Sequence, residues 1–244
     1  MELVLLILAA VIPAVVLLYV IYRKDKYRRE PVGQLLKGYG YGVVSALTAT
    51  LFAAFMLLMG LYSEEAETVG GYICTSLFGA AIPEELAKFL FLWLLLRNSK
   101  YFDEYFDGIV YAACIGLGFA SFENILYLIE NYEDWVATGI SRAFVSIPGH
   151  FMFAVTMGFY YSKAFLGDLN QKKKYLALAI VIPILLHAAF DATLLISQIL
   201  AGSIALFYIL FFFLIRKSKQ FAHEHLKTDE KLLGISEIIN SIEE

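Results

Sequence analysis

The feature that most constrains this chain is a succession of apolar runs, each about 20 residues long, separated by short charged connections. A helix rises about 1.5 Å per residue, so a run of that length spans the roughly 30 Å of bilayer hydrocarbon. Within hydrocarbon every backbone N–H and C=O must find a partner inside the protein, so the runs read as helices. Of the 244 residues, 60% are hydrophobic and 17% charged, against about 25% charged in a soluble domain. The expected fold is an all-α polytopic transmembrane helix bundle of about seven spans. These fall at residues 3–22, 38–60, 71–96, 108–129, 139–165, 175–199 and 203–215. They make an integral unit over residues 1–216, followed by a polar cytoplasmic tail over 217–244.

Charge placement sets the expected orientation. Of 19 Lys and Arg, all but Lys88 and Arg142 lie in or beside the connections after the first, third, fifth and seventh runs. Basic residues collect on the cytoplasmic side, which puts the N-terminus outside and the C-terminus in the cytoplasm. The cluster Arg23, Lys24, Lys26, Arg28 and Arg29 follows the first run, the reverse of a secretory signal, so that helix is expected to be retained. Cys74 and Cys114, both in apolar runs, give no disulfide framework or thiolate metal site and read as packing residues. In the tail, His223 and His225 read as surface residues, and residues 232–239 as a small surface helix.

Polar residues inside the apolar runs carry the chemistry. The stretch Ala80-Ala-Ile-Pro-Glu-Glu-Leu-Ala-Lys-Phe89 holds Glu84, Glu85 and Lys88 at helical contact spacing. An ionisable group at membrane depth costs several kcal/mol unless paired or wet, so it reads first as functional. Downstream come Glu123 and Asn124, then Arg142 and His150, then His187 and Asp191 one turn apart. Counted along their helices, Glu84, Glu85, His150 and His187 sit near mid-depth, with Asp191 one turn further out and Glu123 shallower. Groups from four helices at one level suit a shared water-filled chamber. There Glu84 or Glu85 can take a proton from water, while imidazoles donate to an oxyanion or bind metal. Glu123, His150, His187 and Asp191 are zinc-type ligands. No His-Glu-x-x-His or Gly-x-Ser-x-Gly run is present.

Plainer roles stand beside these. Lys88 can simply neutralise a glutamate, Asn124 can tie helices together, and Arg142 can snorkel to the interface. Phe119 and Phe122 read as packing. An ion-coupled transporter or a non-catalytic membrane chaperone or scaffold would also need buried polar groups.

The ordered set Glu84-Glu85-x-x-Lys88, Phe119-x-x-x-Glu123-Asn124, Arg142 followed by His150, and His187-x-x-x-Asp191 resembles the motifs of the PrsW family of intramembrane proteases. The family is similar in plan to the CAAX-protease and bacteriocin-processing superfamily. There, histidine and asparagine stand where this chain has Glu123 and Asp191, a departure that favours the PrsW branch. The resemblance implies a multi-pass endopeptidase of a bacterial or archaeal cell membrane that cuts a membrane protein near the outer face. Its expected substrate is a transmembrane protein such as a single-span anti-sigma factor, cut first in regulated intramembrane proteolysis. Its other partner is membrane lipid; no nucleic acid is expected. The resemblance makes Glu84 the general base, supported by Glu85. Glu123 and His187 bind or orient the water, and His150 or Asn124 stabilises the oxyanion. Lys88, Arg142 and Asp191 support them. The cofactor is a divalent metal such as zinc, or none.

Overall fold

The computed structural model describes residues 2–243. Every regular element among them is helical: α1 (Glu2–Lys24), α2 (Val32–Leu58), α3 (Val69–Cys74), a π-helical stretch (Thr75–Ala81), α4 (Ile82–Leu96), α5 (Tyr105–Glu130), α6 (Trp135–Phe144), α7 (Ser146–Leu166), α8 (Lys172–Ile196) and α9 (Ser203–Glu243), with short 3-10 turns before α6 and α8. Among the described residues, five helical runs are long and apolar enough to cross a membrane: Glu2–Lys24, Val32–Leu58, Tyr105–Glu130, Tyr132–Leu166 and Leu169–Ile196. Leu51 and Leu58 on α2 are 75% and 86% exposed, as a lipid-solvated face requires. The fold is the expected helical membrane bundle.

Helix α5 is its axis. From Phe106 to Ser121 every residue is buried, because its small and apolar side chains run all round the helix. It packs against α7, α2 and α1. The crossing with α2 is close enough to require glycine. A Cβ on Gly42 would lie 2.1 Å from the Ile115 carbonyl oxygen, and one on Gly118 2.2 Å from that of Tyr39. Two backbones in contact at one level fix where α2 and α5 meet, and therefore where they separate.

Three local expectations change. The helix expected over 71–96 is helical from residue 69 to 96, but its register slips within the π stretch, where the Ile82 N–H reaches the Leu77 carbonyl five residues back. Pro83 accounts for the slip: it offers no N–H, and its ring would crowd the Gly79 carbonyl in a regular α-turn. Glu84 and Glu85 follow directly. The single span expected over 139–165 divides at Val145 (φ −117°, ψ −65°), leaving α6 as a separate short helix beside α1. The helix expected to stop at residue 215 continues instead to Glu243, so the surface helix expected at 232–239 is the end of α9.

The continuation of α9 is not a free tail. His225, expected at the surface, is fully buried. Its Nε2–H donates to the Phe159 carbonyl at 2.9 Å and its ring stacks on Phe159. Burial pushes its pKa down to about 3. Asp229 accepts the N–H groups of Tyr105 and Phe106 at 2.8 and 2.9 Å, capping α5 from another helix. Cys114 is buried as a packing residue.

At that end of the bundle Asp25, Glu30, Glu104, Asp107 and Asp229 are all buried. Asp25 Oδ2 accepts the Glu30 N–H at 3.3 Å, and Tyr111 donates to Glu30. Among the described residues, Asp25 Oδ1 has no hydrogen-bond partner. Burial raises Asp25 to about 6 and Glu30 to about 7; burial, then neighbouring Asp229, Asp25 and Asp103, raises Glu104 to about 7. Each pKa is higher folded than unfolded, so the folded state holds the extra protons. The stability they give is complete below about pH 4 and is lost as pH rises through about 6 to 7. Thermal melting of the purified protein should therefore fall from pH 5 to pH 8. Asp25→Asn and Glu104→Gln should flatten that slope and melt higher than wild type at pH 8. A slope unchanged in both variants contradicts the assignment.

Candidate active site

Four helices deliver the polar groups to one place. Glu84 and Glu85 sit in the first turn of α4, Glu123 and Asn124 near the end of α5, His150 in the first turns of α7, and His187 and Asp191 on one face of α8. Arg142 comes from α6. All nine residues singled out in the sequence meet here.

Lys88 is the hub. Its Nζ donates to Glu85 Oε1 at 2.8 Å, Glu84 Oε2 at 3.1 Å and His150 Nδ1 at 3.1 Å, and lies 3.9 Å from the Phe119 ring centroid. An ammonium only donates, so Nδ1 of His150 is an acceptor and its proton is on Nε2. That proton faces Glu123 Oε2 at 2.9 Å. His187 turns Nδ1 to Glu85 Oε1 at 2.9 Å and Nε2 to Asp191 Oδ2 at 3.2 Å. Its ring is stacked on Phe153 with centroids 4.7 Å apart.

Arg142, from α6, closes one side of the cluster. Its Nη2 donates to Glu123 Oε2 at 2.5 Å and its Nε to Asn124 Oδ1 at 2.6 Å, while the guanidinium covers the Tyr127 ring at 3.8 Å. Asn124 uses the other end of its amide on the Ala10 carbonyl of α1, at 3.4 Å. It is buried and lines neither cleft described below, so its geometry fits holding Arg142 rather than contacting an oxyanion. Arg142 does not snorkel away; it serves two partners in a planar fork that lysine lacks. Arg142→Lys should lower cleavage about tenfold and cost about 1.5–3 kcal/mol, the range for hydrogen bonds to charged groups. Wild-type activity and melting in that variant would contradict this role.

Two clefts reach the cluster. One, of about 380 Å³, is polar and includes Glu84, Glu123, Arg142, His150, His187 and Asp191 in its lining. The other, of about 310 Å³, runs between α2 and α5 and also ends on Glu84 and Glu123. Glu84 opens to both, whereas Glu85 is fully buried, with no hydrogen-bond partner for Oε2 among the described residues. Tyr62, Glu64 and Gly79 also line both clefts. Tyr62 and Glu64 lie in a connection with no periodic pattern, so the sequence carried no sign of them. Tyr127 was also missed; its place one turn beyond Glu123 is the signal that could have found it.

A donor atom from each of Glu84, Glu85, His150 and His187 lies within 4.8 Å of the others. Two imidazoles and two carboxylates form a zinc-type ligand set, and the orphaned Glu85 Oε2 is a further acceptor. The residues therefore fit a divalent ion, with Glu84 and Glu85 in the tightest group in place of Glu123 and Asp191. Four carboxylates, Glu84, Glu85, Glu123 and Asp191, face two fixed cations, Lys88 and Arg142. Imidazolium protons or a divalent ion can offset the excess.

Comparison with known proteins identifies the family. Residues 30–216 match the family described as PrsW family intramembrane metalloprotease. Protease PrsW of Clostridioides difficile (strain 630) is 36% identical over 216 residues, covering 88% of this chain and 89% of that protein. Protease PrsW of Bacillus subtilis (strain 168) is 35% identical over 217 residues, covering 88% and 94%. The relative from Geobacillus kaustophilus (strain HTA426), also Protease PrsW, is 34% identical over 216 residues, covering 88% and 91%. No solved structure matches. The chain belongs to the PrsW family and is a multi-pass intramembrane protease, a peptide hydrolase that works from within the membrane.

Proposed function

We propose that the protein cuts another membrane protein close to the outer membrane face, with Glu84 as the general base. One observation carries this reading: of the four groups with donor atoms within 4.8 Å of one another, Glu84 alone lines both clefts, while Glu123, which also lines both, is held by Arg142 and His150. Water in the polar cleft gives a proton to the Glu84 carboxylate as its oxygen bonds to the scissile carbonyl carbon. Arg142, which lines the same cleft, donates to the oxyanion that forms. Glu84 then passes the proton to the leaving nitrogen, the C–N bond breaks, and a carboxylic acid and an amine remain, which become carboxylate and ammonium by proton exchange. Glu85 holds Lys88 and His187 in place, and His150 positions Glu123.

A divalent ion such as zinc would be held by Glu85, His150 and His187, and when bound supplies Lewis-acid polarisation of the carbonyl. Lys88 Nζ already meets Glu85 Oε1 and His150 Nδ1, so the ion and this ammonium compete for the same atoms. The distribution of Lys and Arg supports seven crossings with the N-terminus outside, which directs the Arg142 side of the site outward. A single-span protein of the anti-sigma-factor type, cut first at its outer edge, suits that orientation.

The test is cleavage of a single-span membrane substrate by purified protein in liposomes, with metal content measured on the same sample. We expect product, loss of at least about tenfold on chelation, and recovery with zinc. Lys88→Met should hold zinc more tightly than wild type. Absence of cleavage together with proton or ion flux would sink the protease reading. Cleavage indifferent to chelation would sink the metal assignment alone.

A further inference from the structure

The polar cleft accounts for water reaching Glu84, but not for a substrate that lies in lipid. The second cleft has the shape for that task. Helices α2 and α5 touch at Gly42 and Gly118 and separate toward the ends that hold Leu57 and Leu126. On α2, exposure grows along the separation: Ala46 and Ala49 are buried, Ala53 is half-buried and Ala54 is exposed. One wall of the wedge is small residues on α2; the other is Phe119, Phe122 and Leu126 on α5. The floor is Glu84 and Glu123. At the step into the polar chamber stands Tyr62. Its Oη lies 3.4 Å from the Ala53 carbonyl oxygen, and its ring lies 3.0 Å from where a Cβ on Gly79 would be.

We propose that this wedge between α2 and α5 is the docking groove for the transmembrane segment of a substrate protein, and that it selects a segment with small side chains at the turn facing α2. The proposal rests on the protease reading and extends it to the substrate's route and composition. The occupant follows from the two ends of the groove. The apolar walls accept a helix from lipid, and the alanine face of α2 lets backbones approach closely. On the floor each carboxylate uses Oε2 for the site's own donors, Lys88 for Glu84 and Arg142 and His150 for Glu123, which leaves Oε1 of each to accept from an occupant. A lipid tail brings no donor and would leave Glu84 and Glu123 facing hydrocarbon. A peptide that unwinds there brings its own N–H groups and places its carbonyl carbon beside Glu84.

The test uses the full-length protein with Glu84→Gln in liposomes, carrying photoreactive benzoylphenylalanine at Ala53 or Leu57 in the groove. Controls carry it at Leu51 on the outer face of α2 or Leu185 on α8, which are 75% and 55% exposed. The probe is a Leu-rich, Lys-flanked single-span peptide of about 25 residues with Ala-Gly-Ala-Ser in its outer quarter, beside an all-Leu counterpart. We expect peptide adducts at Ala53 and Leu57 and not at the controls, with the small-residue peptide favoured about tenfold. Ala53→Trp, with Glu84 intact, should raise KM for that peptide about tenfold with little change in kcat. Adducts confined to the controls, to lipid or to a second copy of the chain would overturn the proposal, as would equal capture of both peptides or no capture. If Ala53→Trp fails to fold, the adduct pattern decides. Peptide captured in the groove but never cut by wild type would count against the protease reading and leave the groove standing. Peptide cut by wild type with adducts elsewhere would do the reverse.

Discussion

Glu84→Gln is expected to cut a single-span substrate about 10² to 10⁴ times more slowly than wild type while binding it equally well. The loss corresponds to about 3 to 5 kcal/mol of barrier. The amide keeps the size of the carboxylate and can still accept from Lys88 Nζ, which lies 3.1 Å from Glu84 Oε2. What it cannot do is take a proton from water. A fall in kcat at constant KM and unchanged melting therefore identifies proton transfer as the lost function. The neighbouring variant should behave differently. Glu85 is fully buried and holds both Lys88 and His187, so Glu85→Gln should lower melting as well as rate. Two adjacent glutamates with the same phenotype would contradict the division of labour between them.

Gly118→Ala is expected to be among the most destabilising single-methyl changes in the chain, costing about 3 kcal/mol or more, at and beyond the top of the usual overpacking range. The new Cβ would meet the Tyr39 carbonyl oxygen at 2.2 Å, and that atom is backbone, which cannot rotate aside. The α2–α5 crossing must open, and α5 carries Glu123 and Asn124 at its far end. Activity should fall with stability. Gly40→Ala is the control: no atom of the described residues lies within 4 Å of its added Cβ, and removing a helical glycine should be neutral or stabilising by up to about 1 kcal/mol. Thermal unfolding of both variants in detergent measures the difference, and equal melting would contradict the tight crossing.

The helical bundle was legible in the sequence because hydrophobic run length is set by bilayer thickness, a constraint that acts on each segment alone. The site was legible for a related reason. Glu84, His150 and His187 interrupt apolar runs at matching depths, and depth can be counted along a helix. What could not be counted was rotation and register between helices. The choice among Glu84, Glu85, Glu123 and Asp191 for the tightest ligand group depends on which way each helix turns its carboxylates. The π slip before Pro83 rotates Glu84 and Glu85 relative to the residues before it. The burial of His225 and Asp229 was hidden for another reason. A polar stretch looks solvated until a partner such as the Phe159 carbonyl or the first turn of α5 is supplied from far along the chain.

Substituted-cysteine labelling tests most directly whether acids and imidazoles from separate helices share one hydrated chamber. With Cys74 and Cys114 replaced, single cysteines are placed at Ser146 and Ala80 in the polar cleft, and at Leu51 and Leu185 on the outer surface of the bundle. A charged, membrane-impermeant thiol reagent added to proteoliposomes should modify Ser146→Cys and Ala80→Cys and leave the other two unreacted. Ser146→Cys and Ala80→Cys as inert as Leu185→Cys would mean that water does not reach the carboxylates, and the chamber would have no basis.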